Sequence, residues 1–113
     1  MTIRELQQRV DSWISEYGVR YFNVQTNTLL LVEEVGELTR LIARKYGEQS
    51  FKKEEDRHMA EEQIKNEIGD ILFVLTCLSN QMELDMENIM LDNMDKKTQR
   101  DKERHRENKK LMD

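Results

Sequence analysis

The sequence predicts an all-α fold of four helices, and three observations carry that expectation. Proline is absent and glycine occurs only four times in 113 residues, so few positions interrupt a helix. Apolar residues recur at intervals of three and four in the long segments. Two of the glycines, Gly18 and Gly47, stand where amphipathic runs end, the ordinary place of a glycine just past a helix C-terminus.

Taken in order, Ile3, Leu6, Val10, Trp13, Ile14 and Tyr17 form one face of a first helix. Thr2 is its expected N-cap, with Glu5 three residues on as the partner of a capping box. Gly18 should end it. Val19 to Thr26 is expected to connect, carrying the aromatic pair Tyr21 and Phe22. A second helix is predicted from about Asn27 to Tyr46. The polar run from Gly47 to Met59 reads as a loop or hinge, and a third helix spans about Ala60 to Gln81. Asp85 caps a fourth, which passes through Ile89 and Met90 into a basic tail. One domain over 1–113 is expected, with 95–113 as its basic C-terminal helix or tail.

Composition excludes several classes. Charged residues make up 36 % and apolar ones 37 %, and no apolar run approaches the ~18–20 residues of a membrane span. The start of the chain lacks the apolar core of a secretory signal, and the single cysteine, Cys77, excludes an internal disulfide. Both features suit a reducing cytoplasm. The net charge of −5 is uneven: residues 1–94 carry −8 and residues 95–113 carry +3. An acidic body is a poor dock for nucleic acid, whose phosphates need a clustered positive face. A basic segment beside it suits a polyanion that arrives with divalent cations, although a solvated terminal helix has the same composition.

The informative residues are acids on apolar stripes. On the second helix, Asn27, Leu30, Leu31, Glu34, Glu37, Leu38 and Leu41 lie within about 60° of Glu34, with Glu33 at the edge. On the third, Ala60, Ile64, Glu67, Asp70, Ile71, Val74 and Leu78 share a face. An unpaired buried carboxylate costs at least several kcal/mol, so each must protonate, pair or hold a cation. Arg40, Arg44 and Lys65 are expected on other faces, which leaves no base to pair with. If the two helices pack, four acids meet, and a hard divalent cation such as Mg²⁺ resolves their repulsion. Gly36 and Gly69, inside the helices beside these acids, are expected to allow close helix approach or to leave room for a ligand.

VEEVGEL (Val32 to Leu38) and NEIGDILFVL (Asn66 to Leu75) together resemble the EExxE and ExxD signature of the MazG-like, all-α nucleoside triphosphate pyrophosphohydrolases. The thirty-residue spacing is similar to that of the small single-domain, YpjD-like branch. YGVRYFNVQTNTLLL and KKTQRDKER resemble the flanking segments of that branch, so the likeness covers nearly the whole chain. The resemblance implies hydrolysis of the α–β bond of a nucleoside triphosphate to monophosphate and pyrophosphate, as in enzymes that clear damaged or surplus nucleotides. It implies that Glu34, Glu37, Glu67 and Asp70 hold Mg²⁺, with Mn²⁺ as a substitute, and that Glu33 orients or deprotonates the attacking water or stands just behind the ligands. Lys96 and Arg100, with Arg104 a lesser candidate, would neutralise phosphate oxygens. Phe22 or Trp13 would stack on the base, and Asn27 would offer it hydrogen bonds. It further implies a homodimer or homotetramer in which helices complete one another's bundle and site. Two positions depart from the family pattern: Val74 stands where relatives often carry an aromatic residue, and Glu83 where they usually carry glycine, so the turn there is expected to be strained.

Other readings explain less. Glu55 and His58 make half of a di-iron ExxH pair, but His105 is preceded three residues earlier by Lys102. Met82, Met86, Met90 and Met94 recur every four residues, a stripe expected in a core or subunit interface. A non-catalytic dimeric adaptor or antitoxin-like module would account for the helices and the tail, but not for acids on two apolar stripes.

Overall fold

The computed structural model describes residues 1–112 and is all-helical there, with no strand. Its elements are α1 (Ile3–Trp13), α2 (Val24–Tyr46), α3 (Glu54–Gln81) and α4 (Met86–Arg106), with a π-helical turn at Ile14–Gly18 and a 3₁₀ turn at Lys109–Leu111. The four expected helices are all present, and both predicted caps form. The Thr2 hydroxyl accepts from the Glu5 N–H at 3.1 Å, and Asp85 accepts from Glu87 and Asn88.

Two helices start earlier than their apolar patterns suggest. The carboxamide of Asn23 accepts from the Thr26 N–H at 2.8 Å, so α2 begins at Val24 rather than at Asn27. The run Glu54–Glu55–Asp56 forms the first turn of α3 instead of a loop, because three acids at a helix N-terminus meet the positive end of its dipole. The connector is only residues 47–53.

α2 and α3 form an antiparallel hairpin that makes the most extensive contact in the chain. Its packed faces are those the periodicity marks: Leu41 is 2 % exposed, and Ala60, Val74 and Leu78 are buried with it. α1 lies across the C-terminal half of α3, where Val10, Ile14 and Cys77 form a small core flanked by Leu6, Tyr21 and Phe73. α4 is tied at its start to α1, where Arg4 pairs with Asp85 and Glu87 at 3.1 and 3.0 Å. Gln7 donates to the Leu84 carbonyl and accepts from the Met86 N–H. Beyond that, every residue from Asn88 to Arg100 is exposed.

Backbone strain falls at two places. The positive φ after α1 lies on Val19 (φ 69°, ψ −55°), not on Gly18. The Arg20 N–H donates to the Gly18 carbonyl at 2.8 Å and closes a γ-turn around Val19. On a β-branched residue such a conformation costs of order 1–3 kcal/mol. The second place is the expected one, Glu83, with φ 57°.

One copy leaves much apolar surface uncovered. The radius of gyration is 18.0 Å, against about 13 Å for a compact chain of this length. The accessible surface is 9298 Å², against about 6,600 Å² for a compact monomer of this mass. Leu29, Val32, Ile68 and Leu72 line the outer face of the hairpin, and Ile89, Met90, Leu91 and Met94 lie open on α4. Gly36 and Gly69 have no neighbour within 4 Å of the position a Cβ would take, so neither serves close helix approach within this chain.

Candidate functional site

The antiparallel packing of α2 on α3 sets Glu34 opposite Glu67 and Asp70, whose i, i+3 spacing puts them on adjacent turns of one face. One carboxylate oxygen from each of the three lies within 4.8 Å of the others. The ordinary carboxylate pKa of Glu34 is pushed up to about 7, first by a hydrogen bond shared with Glu67, then by desolvation and by the charges of Glu67, Asp70 and Glu37. Glu67 Oε2 is buried without a hydrogen-bond partner. An all-oxygen donor set with an orphaned buried oxygen is what a hard divalent cation satisfies.

Glu37 is not the fourth member of that cluster. Its Oε2 accepts from Arg40 Nε and Nη2 at 3.3 and 3.0 Å, an ion pair one turn along α2. The expectation that Arg40 lies out of reach is therefore corrected: a long arginine side chain spans the gap between faces that a helical wheel draws as separate. Glu37 still adds negative charge near Glu34. Glu33 is exposed on the flank of the helix.

A cavity of about 300 Å³ has Trp13, Phe22, Asn27, Leu30, Phe73 and Val74 on its wall, with none of the three acids lining it. Leu30 precedes Glu34 by one helical turn and Val74 follows Asp70 by one, so cavity and acids are neighbours along the same hairpin face. The three residues that the resemblance offers for base binding, Trp13, Phe22 and Asn27, thus meet around one space. Trp13 and Phe73 touch edge to face, with ring centroids 5.5 Å apart. Asn27, 4 % exposed, donates through Nδ2 to Gln81 Oε1 at 2.8 Å and to the Phe22 carbonyl at 3.4 Å. Gln81 in turn donates to that same carbonyl.

Part of this architecture escapes the sequence reading. Tyr21 donates its hydroxyl to Asp11 at 2.7 Å and accepts from Asn80 at 3.0 Å, which pins the connector to α1 and α3. Burial, then the bond to Asp11, raises its pKa to about 12, so it stays a neutral phenol. Gln81 continues the stripe Val74–Leu78 by a further three residues, a signal that was available. The Tyr21–Asp11–Asn80 contacts join three segments far apart in sequence, and no local pattern announces them.

The basic residues are elsewhere. Lys96, Arg100 and Arg104 lie exposed on α4 and form no part of the cluster or the cavity within one chain. Arg100 makes a two-pronged bond to Asp101 at 2.9 and 2.7 Å, and Arg104 stands 3.7 Å from the same carboxylate. Glu55 and His58 are exposed, and His58 faces Glu54 at 3.5 Å, which leaves the ExxH pair as surface charge. Burial raises the Cys77 thiol to about 11, so it is wall rather than nucleophile.

The chain is similar to known proteins over most of its length. Residues 22–105 match the model of the MazG nucleotide pyrophosphohydrolase domain. A Bacillus subtilis (strain 168) protein, YpjD, is 39 % identical over 103 residues, which cover 91 % of this chain and 89 % of that one. The crystal structure of the Bacillus-conserved MazG protein, a nucleotide pyrophosphohydrolase, superposes with a TM-score of 0.72 at 32 % identity, covering 91 % of this chain and 96 % of that one. That of YpjD from Bacillus subtilis gives 0.71 at 34 %, covering 85 % and 94 %. With the family model matching most of the chain and both solved structures sharing its fold, the chain belongs to the MazG nucleotide pyrophosphohydrolase family, hydrolases that act on acid anhydrides.

Proposed function

We propose that the protein hydrolyses the α–β phosphoanhydride of ribo- or deoxyribonucleoside triphosphates, with Mg²⁺, to a monophosphate and pyrophosphate, and so clears unwanted nucleotides from the cytoplasmic pool. The observation that carries this reading is the carboxylate triad one helical turn from an aromatic-walled cavity. The cavity takes the base between Trp13, Phe22 and Phe73, and Asn27, its amide held by Gln81, presents its remaining acceptor. Glu34, Glu67 and Asp70 hold the cation, and Glu37 reinforces their field from its pair with Arg40. When bound there, the cation would offset the charge of the triphosphate and polarise a phosphoryl oxygen. Glu33, at the flank of the triad, orients the water or accepts its proton.

Among the described residues the one cation of the cavity wall, Arg20, stands at the end away from the triad, while Lys96 and Arg100 lie on the stretch of α4 that is wholly exposed. A homo-oligomer resolves both facts, with α4 of one copy bringing its basic residues to the site of another and the open apolar faces covered. Exposed α4 also favours a second reading, a dimeric adaptor without catalysis. A panel of (d)NTPs with Mg²⁺, resolving pyrophosphate from phosphate, tests the proposal. Pyrophosphate and monophosphate are expected; release of phosphate alone, or no turnover of any nucleotide, would overturn it. Thermal stabilisation by Mg²⁺ separates the readings further, since an adaptor needs none.

A further inference from the structure

We infer that Arg20 reads the base, favouring nucleotides whose base carries an exocyclic carbonyl over those of adenine, the base that lacks one. The inference rests on the nucleotide reading above and names the substrate class for the same cavity. Arg20 is the one charged side chain on the cavity wall. Its Nη1 donates to the Tyr21 carbonyl at 2.9 Å, and among the described residues it forms no ion pair, unlike Arg4, Arg40 and Arg100. A guanidinium has five N–H donors and no acceptor, so its remaining donors are free for a ligand.

Its position selects the base rather than the phosphates. Along α2 the acid Glu34 is followed, towards the N-terminus, by Leu30 and then Asn27, about 10 Å away at 1.5 Å per residue. Arg20 precedes the helix at that same far end. A triphosphate held on the acids therefore presents its base, not its phosphorus atoms, towards Arg20. Apart from the free acceptor of Asn27, the other polar groups there are already engaged. The Tyr21 hydroxyl serves Asp11 and Asn80, and the Phe22 carbonyl accepts from Asn27 and Gln81. The backbone places the side chain by two irregularities in succession, the π-turn Ile14–Gly18 and the γ-turn at Val19, with the Tyr21 network fixing the segment beyond. Strained backbone of this kind persists where a side chain must be held against a ligand. Guanine, cytosine and thymine each offer a carbonyl oxygen to a charged donor; adenine offers an amino group and ring nitrogens.

The test compares kcat/KM for dGTP, dCTP, dTTP and dATP with Mg²⁺ in the full-length protein, its Arg20→Ala variant and its Arg20→Lys variant. Arg20→Ala is expected to lower kcat/KM for the three carbonyl-bearing substrates about tenfold, through KM, while dATP changes less than about twofold. Arg20→Lys, which keeps a charged donor, recovers part of the loss. Arg20→Gln serves the same comparison if the alanine variant fails to fold. An equal loss on all four substrates, or no loss, would overturn the base-reading role while the hydrolase stands. A wild-type protein that turns over none of them would overturn the nucleotide reading and this inference together.

Discussion

The α2–α3 hairpin and α4 both carry residues the sequence singles out, yet they stand in opposite surroundings. In the hairpin, Glu34 and Glu67 are half-buried with Asp70 exposed at their edge, and one oxygen of Glu67 is buried without a partner. On α4, Lys96, Arg100 and Arg104 lie in solvent, and two of the three are already matched to Asp101. A buried charge demands an explanation from within the fold; an exposed one does not. The hairpin is therefore informative as it stands, and α4 becomes so only through what it meets.

The sharpest way to break this contrast is to remove the hairpin acids. Glu34→Ala, Glu67→Ala and Asp70→Ala should each lower turnover by more than ~100-fold, beyond what loss of a supporting contact around a metal costs. Helical content and unfolding temperature should hold or rise without metal, because each substitution relieves like-charge repulsion. Glu37→Ala should lose less, since its carboxylate is already shared with Arg40. Pyrophosphate release across a Mg²⁺ titration checks this, and undiminished activity in any two of the three triad variants would remove the site.

Next in size is a pH effect confined to the hairpin. Glu34 binds its proton more tightly folded, at about 7, than at its ordinary 4.5. The corresponding stability is complete below the unfolded value and is lost as pH rises through 7. Unfolding temperature of the metal-free protein should fall between about pH 5 and 8, and Mg²⁺ should restore it more at pH 8 than at pH 5. Glu34→Gln should flatten the slope, whereas Lys96→Ala on α4 should leave it intact. A slope unchanged in Glu34→Gln would show that the triad does not share a proton.

The same contrast explains what the sequence could reveal. The hairpin was legible because its faces repeat with helical period: Glu34, Glu67 and Asp70 interrupt stripes whose other members are apolar, and period alone brings them together. The pairing of Arg40 with Glu37 is not legible there, because a wheel projects Cβ directions and ignores the reach of a long side chain. The start of α3 was missed because Glu54–Asp56 carry no apolar period, and only the helix dipole favours them there. The cavity was half legible. Trp13, Phe22 and Asn27 came from resemblance, but the network of Tyr21, Asp11, Asn80 and Gln81 that holds them is a product of tertiary packing, which no window of sequence contains.

For α4 the contrast can be sharpened by testing whether its charges act at all. Arg100→Ala should lower kcat/KM about ten- to a hundredfold, as loss of a charge-assisted bond to phosphate implies, with no change in unfolding temperature. Metal affinity without nucleotide should be unaltered, and removal of residues 107–113 should do little. Wild-type kinetics in Arg100→Ala would leave α4 a solvated helix and shift the search for phosphate-binding charge to Arg44 and Lys45.

The smallest expected effect lies in the turn that joins the two regions. Glu83 holds φ 57° between α3 and α4, a left-handed conformation that costs a residue with a side chain about 1–2 kcal/mol. Glycine adopts it freely but loses more backbone entropy on folding, about 0.5–1 kcal/mol. Glu83→Gly should therefore stabilise by roughly 0.5–1 kcal/mol, or about 2–5 °C in unfolding temperature. The turn's own bonds survive the change, because they run from backbone to backbone: Glu83 N–H to the Asn80 carbonyl at 3.1 Å, and Leu84 N–H to that of Ser79 at 2.8 Å. Glu83 makes no ion pair among the described residues, so no side-chain contact is lost to offset the gain. Turnover should not change, since the turn touches neither the triad nor the aromatic cavity. A variant no more stable than wild type would mean that α4 is held by Arg4 and Gln7 firmly enough to impose the turn on either residue. A variant more stable but less active would mean that strain at Glu83 helps set the angle at which α4 leaves the hairpin, and so couples the two regions.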